Sequence, residues 1–366
     1  MSGRGQRESR AEPPTLLLYS SDFYANSLRF SYLSHGMIKF VMHYAVTSPL
    51  EAGEILDHYR LEAVVAHSGM STLYRATDLQ DGRQVAIKVP HPEMEADLVL
   101  VERFQREQQI GQELDHPGIV KTYDGEERSR LYMVIEWVDG RLLRSILNEE
   151  RQLPIERAVA ITLGICEALD YMHKHGVVHR DLKPENIMVG ANDGIKLIDF
   201  GIAMKEDARR LTFTEISPTL GTPDYIAPEQ VKGQRGDQRS DIYALGVMLY
   251  EMLGGEPPFT GPNPLAVMNE RVLTDPRPVR DLRPEVSPQL QEILYRAMER
   301  DPRHRYATAA EMAWELEHQE QVGIEEGARR TLLARRFPGR GKLMLYAGLA
   351  LAPILLFVLM LLLARR

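Results

Sequence analysis

Two regimes of apolar patterning meet near residue 138. From Tyr59 onward, the runs YRLEAVVA, STLYRATD and RQVAIKVP carry the short, alternating pattern of half-buried strands. Asp81-Gly82, between the second and third runs, predicts a hairpin turn. In the third run Ala86 and Lys88 share one face, and Val85, Ile87 and Val89 share the other. One helical stretch interrupts the strands, from about Ala96 to Leu114. There Leu100, Phe104, Glu107, Gly111 and Leu114 recur at three- and four-residue spacing, which puts Glu107 on an apolar face. An inward carboxylate needs a cation, because burying it unpaired is costly, and Lys88 is the natural candidate. Beyond Arg141 the spacing stays helical, apart from a loop-and-turn region between Val177 and Glu229. The expected fold is α+β, with a small β-rich lobe over residues 57–138 and a large helical lobe over 139–318. A ligand-binding cleft is expected between such lobes. No internal repeat or low-complexity segment is visible.

The ends of the chain read differently. Residues 343–364, LMLYAGLALAPILLFVLMLLLA, carry no charge. As a helix rising ~1.5 Å per residue the run spans about 33 Å, enough for a hydrocarbon core, and Pro353 is tolerated in such a helix. Arg329, Arg330, Arg335, Arg336, Arg340 and Lys342 precede it and only Arg365 and Arg366 follow. The positive-inside bias therefore places the preceding chain in the cytoplasm. The expectation is a single-pass C-terminal anchor, joined to the folded region by a basic juxtamembrane linker over 319–342 that also attracts anionic headgroups. Residues 1–56 form an extension expected to be poorly ordered. They lack the order of charge, apolar run and cleavage site of a secretory leader, and translation starting at Met37 or Met42 would account for their lack of pattern.

Composition narrows the class. Of 366 residues, 44% are hydrophobic and 26% charged, as in an ordinary folded protein. A net charge of -8 argues against a general nucleic-acid binder. The single cysteine, Cys166, allows no intramolecular disulfide and no cysteine-built zinc site.

The residues that carry chemistry lie in order in the helical half. His179-Arg180-Asp181-Leu182-Lys183-Pro184-Glu185-Asn186 is followed by Asp199-Phe200-Gly201 and then by Ala227-Pro228-Glu229. In order and spacing these resemble the catalytic loop, metal-binding triplet and activation-segment end of the eukaryotic-type protein kinases. The resemblance spans residues 57–318 and is closest in appearance to bacterial serine/threonine kinases. It implies a bilobal protein-kinase fold, ATP with Mg²⁺ (for which Mn²⁺ can stand in), and protein substrates. Phosphoryl transfer needs positioning and charge neutralisation, which suits these residue types. By resemblance Asp181 is the base for the substrate hydroxyl, Asn186 and Asp199 are oxygen ligands for the metal, and Lys183 points at the transferred phosphate. Lysine at that place also implies serine/threonine rather than tyrosine acceptors.

The same resemblance assigns the β-rich lobe. Ala86 faces adenine, Lys88 the phosphates, and Lys88–Glu107 is the ion pair of the active arrangement. The phosphate-covering loop departs from the family's G-x-G-x-x-G. Here Val65-Ala66-His67-Ser68-Gly69-Met70-Ser71 keeps one glycine, and Leu73 stands where a valine normally covers adenine. Val65, Ala66, Ser68, Gly69, Ser71 and Leu73 are still expected to line the nucleotide, with weaker hold on ATP. Tyr132-Met133-Val134-Ile135-Glu136-Trp137-Val138 resembles the hinge strand, pairing adenine through the main chain at Glu136 and Val138 and placing Ile135 at the back of the pocket. Asp241 resembles the buried aspartate that braces the catalytic loop, and Arg305 is placed to pair with Glu229.

Regulation and rival readings follow. Arg180 resembles the arginine that holds an activation-segment phosphate. Thr212 and Thr214 are the first candidates for autophosphorylation, then Ser217 and Thr219, while Thr222 resembles a threonine that contacts the catalytic loop. A pseudokinase is favoured only by the glycine-poor loop. A small-molecule kinase is disfavoured by Gly221-Thr222-Pro223-Asp224-Tyr225, which resembles a peptide platform. The phosphate loop G-x-x-x-x-G-K-[ST] is absent. Expected partners are protein substrates and the membrane, in location the inner membrane of a bacterium, with small-lobe homodimerisation also in keeping with the resemblance.

Overall fold

The computed structural model describes residues 50–95, 97–124, 128–199, 204–205 and 223–324. They divide into two compact units. One comprises described residues up to Glu102 with Tyr123–Trp137, and the other Arg103–Thr122 with the described residues from Val138 on.

The first unit is built on strands β1 (Ile55–Leu56), β2 (Tyr59–His67), β3 (Ser71–Asp78) and β4 (Gln84–Pro90). After β4 come a short helix α1 (Pro92–Glu95) and the longer α2 (Leu98–Glu113), which runs on into the second unit. Strands β5 (Thr122–Tyr123) and β6 (Met133–Glu136) complete the sheet, whose order is β1-β2-β3-β4-β6-β5. The β2–β3–β4–β6 pairs are antiparallel. β3 and β4 are joined over residues 79–83, where Gly82 takes φ 76° and its amide donates to Asp78 O at 2.9 Å. Only glycine adopts that conformation without strain, which is why Asp-Gly marks the turn. Alternation along the strands sends Tyr59, Leu61, Tyr74, Ala76, Val85, Ile87, Val89 and Val134 into one core. Each of the Leu, Val and Ile side chains among them stabilises the unit by roughly 1.5–3 kcal/mol on burial.

Helix α2 begins two residues later than the spacing suggested, because the Asp97 side chain accepts from the amide of Val99 at 2.9 Å and caps it. Its inward stripe is as expected for Phe104, Glu107 and Gly111, all buried, while Leu100 is half-buried. The stretch 103–122, expected in the β-rich lobe, clusters instead with the helical unit. Ile119 bridges Leu197, Leu197 N donates to Gly118 O at 2.9 Å, and Asp115 N donates to Tyr171 Oη at 3.2 Å.

The second unit continues with β7 (Arg141–Leu142), α3 (Leu143–Glu150) and α4 (Ile155–Lys174). Then come β8 (Val177–Val178), β9 (Ile187–Val189), β10 (Ile195–Leu197) and β11 (Met204–Lys205). These strands of two or three residues are too short to show a period, so the sequence read as loop there. Helices α5 (Pro228–Val231), α6 (Gln238–Gly254), α7 (Pro264–Leu273), α8 (Pro288–Ala297) and α9 (Ala309–Glu317) follow. Every residue of α6 from Ser240 to Gly254 is buried, so this helix is the core on which α4 and α8 pack. Asp237 caps its start by accepting from Arg239 N, and Gly255 ends it with φ 82°.

Among the described residues no helix is long and apolar enough to cross a membrane. The apolar run 343–364, the linker beyond Ile324 and the extension through residue 49 lie outside the described residues.

Candidate active site

In the first unit the register of three strands gathers the expected nucleotide residues on one face. Residues directly opposite in an antiparallel pair share a face. Lys88 stands opposite Leu73 on β3 and Met133 on β6, and Ala86 stands opposite Ile135. Leu73, Ala86, Lys88, Met133 and Ile135 therefore line the side of the sheet away from the Val85–Ile87–Val89 core. Ala86 is buried and Lys88 half-buried. Ala66 pairs with Leu73 and so joins that face at the end of β2. Met133 was not singled out from the sequence, because its place depends on the register of β6 against β4. Glu136 ends β6, and at Val138 the chain re-enters the second unit.

The β2–β3 tip is closed by its own side chains. Ser68 Oγ accepts from Ser71 N at 2.9 Å and Met70 N at 3.2 Å, and lies 3.1 Å from Ser71 Oγ. Ser68 N donates to Ser71 O at 2.9 Å. At its base the Thr72 hydroxyl lies 3.1 Å from both His67 Nδ1 and His91 Nε2.

In the second unit the segment 179–186 is held from several sides. Lys183 Nζ donates to Asp181 Oδ2 at 2.6 Å. Asn186 Nδ2 donates to the Asp181 carbonyl at 2.8 Å, which turns Oδ1, the harder ligand, away from that bond. Asn186 O accepts from Ile198 N at 3.0 Å, so the residue next in chain, Asp199, begins its course beside Asn186. Lys183 and Asp181 are both part-exposed, with side-chain exposures of 25% and 33%. Lys183, Asp181 and Asn186 are thus tied together within one loop, and Asp199 follows β10, whose exit is bonded to Asn186.

The backbone of that loop is strained. Arg180 has φ 65°, in the left-handed region that a non-glycine residue rarely adopts. The strain is held by Asp241, 1% exposed in the first turn of α6. Its Oδ1 accepts from Arg180 N at 2.7 Å and its Oδ2 from His179 N at 2.9 Å, with His173 Nε2 at 2.8 Å. Burial pushes the Asp241 carboxyl up, but the His173 contact, the nearby histidines and the Arg180 amide outweigh it and hold the pKa below the usual range. Gln230, on α5, adds a bond from Nε2 to Arg180 O at 3.2 Å.

Arg305 donates from Nη1 and Nη2 to the two oxygens of Glu229, both at 2.7 Å. Ser240 Oγ donates to Glu229 Oε1 at 2.6 Å. A second cluster went unread in the sequence. Arg144 on α3 donates to Glu185 Oε1 and Glu251 Oε1, each at 2.8 Å, and to the Tyr225 hydroxyl, which itself donates to Glu251. Its members lie as much as 107 residues apart, so no local pattern links them.

Glu107 is buried on α2, in the second unit, and Lys88 belongs to the first. Phe200 and Gly201 lie outside the described residues, as do Thr212, Thr214, Ser217, Thr219 and Thr222.

Comparison with known proteins gives one consistent result. Residues 59–316 match the family model for the protein kinase domain. A probable serine/threonine-protein kinase of Streptomyces coelicolor is 41% identical over 264 residues, which is 71% of this chain and 39% of that protein. Serine/threonine-protein kinase PknB of Mycolicibacterium smegmatis is 40% identical over 276 residues, 74% of this chain and 43% of its own. The chain thus spans about two-fifths of the length of these relatives. Among solved structures, the kinase domain of Mycobacterium tuberculosis PknI superposes with a TM-score of 0.57 at 28% identity, covering 74% of this chain and 100% of that one.

Proposed function

The chain belongs to the protein kinase family, and on that premise we propose that it is a membrane-anchored serine/threonine protein kinase. Membership implies use of ATP and a divalent metal. The observation that carries the reading is the loop in which Lys183 Nζ meets Asp181 Oδ2 at 2.6 Å and Asn186 is tied to the same residue.

Asp181 is the general base. It takes the proton of a serine or threonine hydroxyl as the new O–P bond forms and the bond from the γ-phosphorus to the β-bridging oxygen breaks, releasing ADP. Lys183, already hydrogen-bonded to Asp181, offers its ammonium to the transferred group. Asn186 Oδ1 and the Asp199 carboxylate are the hard oxygen donors that would hold Mg²⁺. When bound, that ion neutralises phosphate charge. By the family resemblance Lys88 grips phosphate oxygens, Ala86 and Leu73 enclose adenine, and the main chain at Glu136 meets its edge. PknB and the Streptomyces relative are named as serine/threonine kinases, which supports hydroxyl-amino-acid acceptors.

The apolar run 343–364 is the anchor, and the basic residues before it put the kinase domain on the cytoplasmic face of a bacterial inner membrane. Autophosphorylation falls on Thr212 or Thr214, docked on Arg180. Pairing of two small lobes is in keeping with the family resemblance.

The test uses the full chain in detergent micelles with Mg²⁺, γ-labelled ATP and a generic basic protein. Label should appear on serine and threonine, and on a peptide from residues 201–221. Asp181→Asn should abolish it while circular dichroism is retained. Tight ATP binding with no transfer to any acceptor would overturn the reading in favour of a signalling pseudokinase. For the anchor, the full chain should sediment with membranes and a chain stopped after Lys342 should not. Equal partition of the two would refute it.

A further inference from the structure

We propose that Ser68 is a positioning residue that closes the β2–β3 tip on itself and withholds the tip's amides from nucleotide phosphates. The inference rests on the kinase reading and concerns how the nucleotide is held. A loop over phosphates grips them through backbone N–H groups that have no other acceptor. Here those groups are engaged. The Ser71 and Met70 amides donate to Ser68 Oγ at 2.9 and 3.2 Å, and the Ser68 amide donates to Ser71 O at 2.9 Å. The Ser68 hydroxyl stands where a carbonyl would close an ordinary two-residue turn, as serine side chains do in tight turns. Gly69 is the tip residue whose amide these bonds leave unengaged.

The base of the tip is secured too. His91 N donates to Met70 O at 2.9 Å, and the Thr72 hydroxyl bridges His67 and His91. Two β-bulges interrupt β2 before the tip, between Leu61 and Ala63 and between Val64 and Ala66, so its approach is set by backbone and not by glycine freedom. A phosphate oxygen makes a stronger, charge-assisted bond than a hydroxyl does. It must nevertheless break two bonds to Ser68 Oγ before it can take the same two donors. ATP therefore gains little here over adenosine, and its phosphates depend on Lys88 and the metal. The family's glycines are absent at this tip because the serine hydroxyl has taken over the turn.

Calorimetric titration of the full chain in detergent micelles with ATP and with adenosine, in EDTA and then in Mg²⁺, tests this. In EDTA, wild type should bind ATP within about tenfold of adenosine, a difference of ~1.4 kcal/mol or less. Ser68→Ala frees two amides and should tighten metal-free ATP binding about tenfold, with adenosine affinity unchanged. Ser68→Gly removes the same hydroxyl and should move the same way, whereas Ser68→Thr keeps it and should match wild type. In turnover, KM for ATP should fall in Ser68→Ala without a rise in kcat. Unchanged or weaker metal-free ATP binding in both hydroxyl-less variants, with adenosine still bound normally, would overturn the inference and leave the kinase reading intact. Failure of every variant and of wild type to bind adenosine would sink the kinase reading and this inference with it.

Discussion

Removing the guanidinium of Arg305 should strongly destabilise the helical unit. The Arg305 side chain is 0% exposed and Glu229 7%, and the two are joined by two parallel bonds of 2.7 Å. In Arg305→Met the apolar stem still fills its space, but Glu229 becomes a buried carboxylate left with the Ser240 hydroxyl and its own backbone amide as donors. Breaking a buried pair from one side costs about 3–5 kcal/mol, a large part of the ~5–15 kcal/mol that holds a domain folded. The melting temperature should fall by roughly 6–20 °C at 2–4 °C per kcal/mol. Arg305 also donates to the carbonyls of Glu299 at 2.7 Å and Arg239 at 2.9 Å, so part of the loss comes from those orphaned acceptors.

The pH dependence separates charge from packing. Burial raises the Glu229 carboxyl, but Arg305 and Ser240 outweigh it and hold it below its ordinary value of 4.5. A depressed carboxyl contributes stability above the unfolded pKa and loses it as pH falls through the folded one. In Arg305→Met burial loses its largest counterweight, so protonation relieves the variant while it weakens wild type. The gap between them should be full near neutrality and narrow below about pH 4.5. Urea unfolding followed by fluorescence of Trp314, in α9 of the same unit, reads both. A double variant, Glu229→Gln with Arg305→Met, should recover part of the loss. A loss under ~1 kcal/mol, or a gap that widens in acid, would refute the account.

Three further outcomes are expected. Asp241→Asn should lower kcat about a hundredfold or more with KM for ATP within twofold, because an amide cannot accept from both His179 N and Arg180 N and also from His173. Steady-state kinetics decide it, and an equal fall in both parameters would point to nucleotide binding instead. Gly111→Ala should destabilise by about 1–3 kcal/mol in a thermal melt, since its Cβ would fall 2.1 Å from Thr122 Oγ1, and the double variant with Thr122→Ala should restore most of it. Arg144→Ala should raise KM for a protein substrate while leaving KM for ATP unchanged, because Glu185 and Tyr225 lose the guanidinium that joins them. Unaltered protein-substrate kinetics would show that the cluster is a strut only.

What the sequence disclosed and what it hid follow a physical division. Local periodicity placed Val85, Ile87 and Val89 in the core and Glu107 inside α2, because alternation and helical spacing are properties of a few adjacent residues. The loop 179–186 was legible because its chemistry is consecutive. The Arg144 cluster was not, since guanidinium, carboxylates and phenol come from four distant segments. The withdrawal of stretch 103–122 into the helical unit was hidden for a similar reason. It depends on contacts of Gly118 and Ile119 with Leu197 and of Asp115 with Tyr171, partners dozens of residues away that no local pattern links. The glycine-poor tip was read as a weaker hold on ATP; the serine-built turn that the distances show there rests on one hydroxyl, which no spacing in the sequence announces.

The left-handed backbone at Arg180 has a consequence for synthesis. Its restraint comes from a residue 61 positions later in the chain. At a translation rate of roughly 5–20 residues per second, the ribosome reaches that aspartate several seconds after it makes the loop, and the exit tunnel delays it further. The loop therefore gains its final backbone shape only once α6, which carries Asp241, has emerged and docked.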